Sequence, residues 1–353
     1  MKRAILLTTL LGSCFAAQAV ELNYKTECIG SYTVNLPDNI EVALYPISLY
    51  SQPRSEYPVY FADGKWAILS AFNYNRNDLS ITANWNINEL IDIKKKINNA
   101  NQKVKVEHPN DSVESWEDEN NFGFYAKKGS QVIFIRKNKI YDFYTDSHYQ
   151  GKENKGFDFY KQNAEAIING FSTRELFEVP QTAGKCIPYG FVAGDDPTTP
   201  LNLTVSFRLN DHPDIVISFS ENTRSFTNSF SFKAKDEINL FWNDNYDINN
   251  NNIKDIKLLG FLTKYRDIEM DGRNGTAGFV EIRYKDKSPS DYGYYGVVSY
   301  YSRNDKSQVN HPWLLLTVIG KRDEAKGHTP LSKDEIYQLA KTIEASIKRR
   351  PTE

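Results

Sequence analysis

Apolar and polar residues alternate in short runs along most of this chain, and a period of two predicts β-strands. In the first half the runs fall at 41–50, 65–72, 79–85, 122–127, 131–137 and 139–145, with Lys137-Asn138-Lys139 as a tight-turn signal between the last two. In the second half they fall at 203–209, 214–220, 225–233, 258–266, 277–284, 294–301 and 313–319. Asp271-Gly272-Arg273-Asn274-Gly275 is a hairpin loop there. Three segments switch to a helical period. Over 88–99, Leu90, Ile93 and Ile97 share a face behind Asn88 as N-cap. Over 157–176 the stripe is Phe157, Tyr160, Ala164, Ile167 and Phe171. The third is the clearest: Ser332 and Glu335 form a capping box, and Ile336, Leu339, Ile343 and Ile347 form the stripe. Lys348, Arg349 and Arg350 then suit the negative end of its dipole.

Between the halves, 178–200 holds Pro180, Gly184, Pro188, Pro197 and Pro200 around Asp195-Asp196, a density of breakers that marks a domain junction. The pattern predicts the α+β class, as two domains, each a mainly antiparallel sheet with covering helices and a closing helix. A chain of 353 residues is long enough for two cores. The expected division is 1–19 as an export leader, 20–178 as an N-terminal domain and 179–353 as a C-terminal domain.

The leader follows from Met1-Lys2-Arg3, an apolar run over 4–17 and the small residues Ala17 and Ala19 of a cleavage site before Val20. It is too short for a membrane span, and no later run reaches eighteen apolar residues, so the mature chain is expected to lack a transmembrane segment. Leu11-Gly12-Ser13-Cys14 also reads as a lipobox, which would give a lipid anchor at Cys14. Both forms are exported. Two cysteines lie beyond the leader, and an even count in an oxidising compartment favours a Cys28–Cys186 disulfide over two buried free thiols. They head a partial repeat, ECIGSYTVNLP at 27–37 and KCIPYGFV at 185–192.

Composition narrows the function by exclusion. Lysine and arginine total 43 against 45 acidic residues, with no basic block, which argues against a nucleic-acid partner. His108, His212 and His311 each precede a proline, and no histidine or cysteine spacing suggests a metal. Asp247, Asn249, Asn251 and Asp255 imitate part of a calcium loop, but Asn252 replaces the turn glycine and Leu258 the bidentate glutamate. Without a nucleophile elbow or a glycine-rich phosphate loop, no catalytic residue and no cofactor are expected. Two surface features suit a protein partner instead. The segment 288–304 is rich in Tyr, Ser, Gly and Asn, the composition of adaptable binding loops. On a strand, Tyr292, Tyr294 and Tyr300 would share one face and Tyr295 and Tyr301 the other, so some of them should be exposed. The acidic run Trp116-Glu117-Asp118-Glu119 is the second candidate.

The first heading, with Cys28, Gly30, Tyr32, Val34, Leu36 and Pro37, resembles the N-terminal domain of the immunity proteins cognate to type VI secretion lipase effectors of the fourth class. The second, Cys186-Ile187-Pro188-Tyr189-Gly190-Phe191-Val192, resembles the start of that family's C-terminal domain. The resemblance implies a periplasmic, non-enzymatic inhibitor that binds a cognate lipase toxin and keeps substrate from its active site. It assigns no contact residues. An exported envelope hydrolase with a scattered carboxylate site and an envelope scaffold lipoprotein are the alternatives the residues leave open.

Overall fold

The computed structural model describes residues 22–46, 58–67, 69, 71–107, 112–146, 156–194, 199–223, 233–246, 252–260, 264–298 and 311–350. The leader with Cys14, Asp195-Asp196, the Asp247-to-Asn251 part of the calcium-like loop, and Tyr300 and Tyr301 lie outside these residues. The first half contains β1 (Tyr24–Ile29), β2 (Tyr32–Pro37), β3 (Ile40–Val42), β4 (Ala71–Tyr74), β5 (Asn77–Ala83), α1 (Ile87–Glu107), β6 (Val113–Glu117), β7 (Asn121–Ala126), β8 (Gly129–Arg136), β9 (Lys139–Asp146) and α2 (Phe157–Gly170). Between the halves lie β10 (Phe171–Thr173), β11 (Gly184–Ile187) and β12 (Gly190–Ala193). The second half adds β13 (Leu201–Leu209), β14 (Ile215–Asn222), α3 (Ala234–Asn245), β15 (Ile253–Leu259), β16 (Arg266–Met270), β17 (Arg273–Tyr284), β18 (Asp291–Val298), β19 (Trp313–Gly320), α4 (Lys333–Ser346) and β20 (Lys348–Arg349).

Among the described residues fourteen strands form one sheet, in the order β15-β17-β18-β19-β14-β13-β4-β5-β9-β8-β7-β6, with β16 beside β17 and β3 beside β13. The halves meet inside it. Leu201 to Thr204 of β13 pair with β4, and Phe207 to Leu209 pair with β3. On one face α2 and α4 pack on a core that runs from Phe134 and Phe143, through Leu203, Phe207 and Phe219, to Leu316 and Val318. On the other face α1 seals Ile133, Ile135 and Ile140, while α3 seals Val280, Tyr295 and Leu315. Alternation along β13 and β14 leaves that face polar at the centre: Thr204 meets Ser220 at 2.8 Å and Ser206 meets Ser218 at 2.7 Å. Pairing the hydroxyls avoids burying unsatisfied donors.

Local periods hold where a strand or helix makes its own pattern. The hairpin turns at Asp271 and Gly272, and the capping box of α4 forms as Ser332 and Glu335 predict. Four differences come from contacts beyond the local pattern. Asn86, not Asn88, caps α1: its side chain accepts from the Asn88 and Glu89 amides at 3.0 and 3.1 Å, and Glu89 accepts from the Asn86 amide. The helix expected to reach 176 ends at Gly170, because Phe171 stacks on Phe134 at 4.2 Å while its backbone pairs with Val192. The expected strand at 258–266 becomes two, β15 and β16, which pair with successive stretches of the long strand β17. Lys348 and Arg349 form a strand against β2 and do not serve as a helix end. Helix α3, unforeseen, buries Ile238 and Trp242 at helical spacing.

Candidate functional site

The two cysteine headings become two hairpins. Ile29 pairs with Tyr32 around Gly30-Ser31, and Ile187 pairs with Gly190 around Pro188-Tyr189. Gly30 takes φ +57°, the left-handed region that glycine enters at little cost. An added Cβ would sit 2.1 Å from Glu221 Oε2, so this glycine also serves a close approach. The hairpins join edge to edge. The Gly30 amide donates to Cys186 O at 2.7 Å and the Cys186 amide to Gly30 O at 2.9 Å. The Cys28–Cys186 disulfide stands beside this bridge, with Cα atoms 5.7 Å apart and both cysteines fully buried.

Buried charges surround the disulfide. Arg174 pairs with Glu27 at 2.5 Å and donates to the carbonyls of Cys28, Gly190, Glu175, Glu178 and Ile187. Lys185 Nζ donates to Ser31 Oγ at 2.5 Å, and Ser31 donates to Glu221 through its amide (2.6 Å) and its hydroxyl (2.7 Å). From the C-terminus, the Arg350 guanidinium donates to Pro180 O, Thr182 O and Gly184 O at 2.6–2.7 Å. Burial and the nearby Glu221 push the Tyr32 hydroxyl up to about 12. Desolvated ions demand complete hydrogen bonding, so the contacts specify one arrangement of these segments more than they add stability. The described part of the proline-rich junction is therefore pinned to both halves. No local sequence signal marks these partners, which lie as far apart as Ser31 and Glu221.

The tyrosine segment splits three ways. Strand β18 lies between β17 and β19, and helices cover both of its faces, so Tyr294 and Tyr295 are core members of the set and not exposed ones. Tyr294 is buried beneath α4, where its hydroxyl donates to Glu344 and accepts from Arg266 at 3.0 Å. Burial first, then the Glu344 charge, push that hydroxyl well above the usual tyrosine range. Tyr295 is buried beneath α3 and donates to Glu237 at 2.8 Å. Tyr292 is half-buried and stacks on Phe279. Tyr300 and Tyr301 belong to the undescribed stretch.

The acidic run makes the end of edge strand β6 and its turn. Trp116 leans on Tyr125 with ring centroids 5.4 Å apart. Glu117 pairs with Lys94 of α1 at 2.8 Å. Asp118 accepts from Asn120 and Asn121, and the Asn121 side-chain bond leads the causes that hold its carboxyl below the usual range. Glu119 is exposed. Much of the run's charge is thus engaged in shaping the turn. Among the described residues no group of three or more His, Cys, Asp and Glu side chains could hold a metal, and Asp255 is held by Arg283 at 2.6 Å. No described helix is long and apolar enough to cross a membrane.

Residues 178–352 match the family described as Tle cognate immunity protein 4 C-terminal domain. This half of the chain belongs to that family. The immunity-protein match bears out the resemblance read from the second heading. The fold likeness extends over both halves. The immunity protein TplEi of T6SS from Pseudomonas aeruginosa in its apo form has a TM-score of 0.57 at 15% identity, covering 94% of this chain and 98% of that one. The same protein with "L" peptide gives 0.57 at 14%, covering 93% and 99%. The Tle4-Tli4 complex gives 0.56 at 16%, covering 94% and 98%. No curated protein matches the chain by sequence.

Proposed function

We propose that this protein is a periplasmic immunity protein that binds a type VI secretion lipase effector and occludes its active site, without catalysis of its own. The observation that carries the reading is the immunity-family match over residues 178–352. The Tle4-Tli4 complex, similar in fold across both halves, supports a protein partner. A leader over 1–19 and domains at 20–178 and 179–353 fit this reading. The proposed contacts are Tyr292, Tyr300 and Tyr301 together with the turn from Trp116 to Glu119. Export fits the compartment in which a disulfide between Cys28 and Cys186 forms readily. The test is co-expression with the product of the neighbouring gene, which this reading expects to be a lipase. The two are expected to co-purify, and lipid hydrolysis by the lipase should stop at equimolar protein. Turnover of lipid by this protein alone, or undiminished hydrolysis in the mixture, contradicts the proposal.

A further inference from the structure

Four of the five tryptophans are buried or half-buried; Trp66 is 57% exposed. It stands on a short arm, residues 58–67, of which only 65–67 fall in the strand expected over 65–72. In the arm the Ala67 amide donates to Val59 O at 3.0 Å and the Phe61 amide to Lys65 O at 2.9 Å, closing a tight hairpin. Tyr60 and Leu44 exchange both backbone bonds at 2.9 Å on its other side. Val59, Phe61 and Ala67 turn inward to the main core, which sends the cross-strand partners Tyr60 and Trp66 outward.

The arm is also bolted at its tip. The Ala62 amide donates to Glu41 at 3.0 Å, and Asp63 accepts from the Lys65 amide at 3.0 Å. Arg208, from the second half, donates to Asp63 at 3.0 Å and to Glu41 at 2.8 Å while lying 4.4 Å over the Phe61 ring. Lys326 pairs with Asp63 and Lys65 with Glu324. A large apolar side chain is thus 57% exposed on backbone that both halves fix, and no contact among the described residues accounts for its position. Rigid aromatic anchors of this kind lose little freedom on binding.

We infer that Trp66, backed by Tyr60, is an anchor for the lipase partner, filling an apolar pocket with an acidic rim. The rim follows from charge. Lys65 of the arm and Lys326 beside its tip are 52% and 44% exposed, whereas their partners Glu324 and Asp63 are 17% and 27% exposed, so these two basic heads turn outward. The inference rests on the reading of the chain as a lipase-binding protein and places a contact that neither the tyrosine segment nor the acidic turn includes.

The experiment measures affinity, association rate and melting temperature of the full mature chain with the lipase that the co-expression test identifies as its partner. Trp66→Ala is expected to weaken binding about thirtyfold or more, as for an interface hot spot, with melting unchanged. Lys65→Ala with Lys326→Ala is expected to slow association several-fold at low salt and to flatten its salt dependence. Oxidative footprinting of the unaltered protein needs no variant: labelling of Trp66 is expected to fall several-fold in the complex. Unaltered protein that fails to bind the lipase overturns the functional reading together with this one. Binding by the unaltered protein that leaves Trp66 fully labelled, or that Trp66→Ala does not weaken, overturns the anchor alone.

Discussion

Gly30 joins two constraints in one residue, a left-handed φ of +57° and a backbone seated against the Glu221 carboxylate. Gly30→Ala is expected to cost at least about 2 kcal/mol in urea unfolding, combining left-handed strain with the displaced carboxylate. The tyrosines of β18 separate by the same kind of measurement. Tyr295 is enclosed under α3, so Tyr295→Ala is expected to cost about 3–5 kcal/mol. Tyr292 loses only a stacked, half-buried ring, and its alanine variant is expected to cost under about 1.5 kcal/mol. Asp63 offers a pH readout. Burial alone would raise its carboxyl, but hydrogen bonds from Arg208 and Lys326 outweigh that and hold it well below the usual carboxylate range. A depressed folded pKa gives stability that is present above the unfolded value of about 4 and is lost as pH falls through the folded value. Melting temperature should therefore drop more steeply below about pH 4 in the unaltered protein than in Asp63→Asn.

At the scale of elements, Lys348 to Arg350 carry more than a helix end requires. Strand β20 adds to β2, and Arg350 collects three carbonyls from the segment that enters β11. Removing the guanidinium leaves those acceptors without their donor, and buried orphans are costly. Arg350→Met is expected to leave the large sheet intact while exposing 178–184 to limited proteolysis. Equal resistance in variant and unaltered protein would show that the clamp contributes nothing there.

Across the whole molecule, one sheet crosses both halves through β13, and the disulfide closes a separation of 158 residues. Replacing both cysteines by serine is expected to lower stability by as much as about 5 kcal/mol, the chain-entropy ceiling for such a loop. Because β13 pairs with strands of both halves, chemical unfolding is expected to remain a single transition, seen alike by tryptophan fluorescence and far-ultraviolet dichroism. Two separated transitions would mean that the halves unfold independently despite the shared sheet.

The amino-acid sequence alone determined the α+β class, the hairpin at Asp271-Gly272 and the capping box and stripe of α4, and it favoured the Cys28–Cys186 bridge that the structure shows. Each rests on bonds or periods within a few residues, or, for the cysteines, on an even count once the expected leader with Cys14 is set aside. The identity of the second half was also legible, in the heading that starts at Cys186. The tertiary structure decided what the local pattern cannot encode. Tyr294 and Tyr295 point to opposite faces by the period of two, yet both are buried, since α4 and α3 arrive from distant sequence to cover those faces. Lys348 and Arg349 suit a helix dipole by position, yet they form a strand because β2, more than three hundred residues earlier, offers an open edge. Burial depends on which distant segment covers a face, and that is settled only when the chain closes on itself.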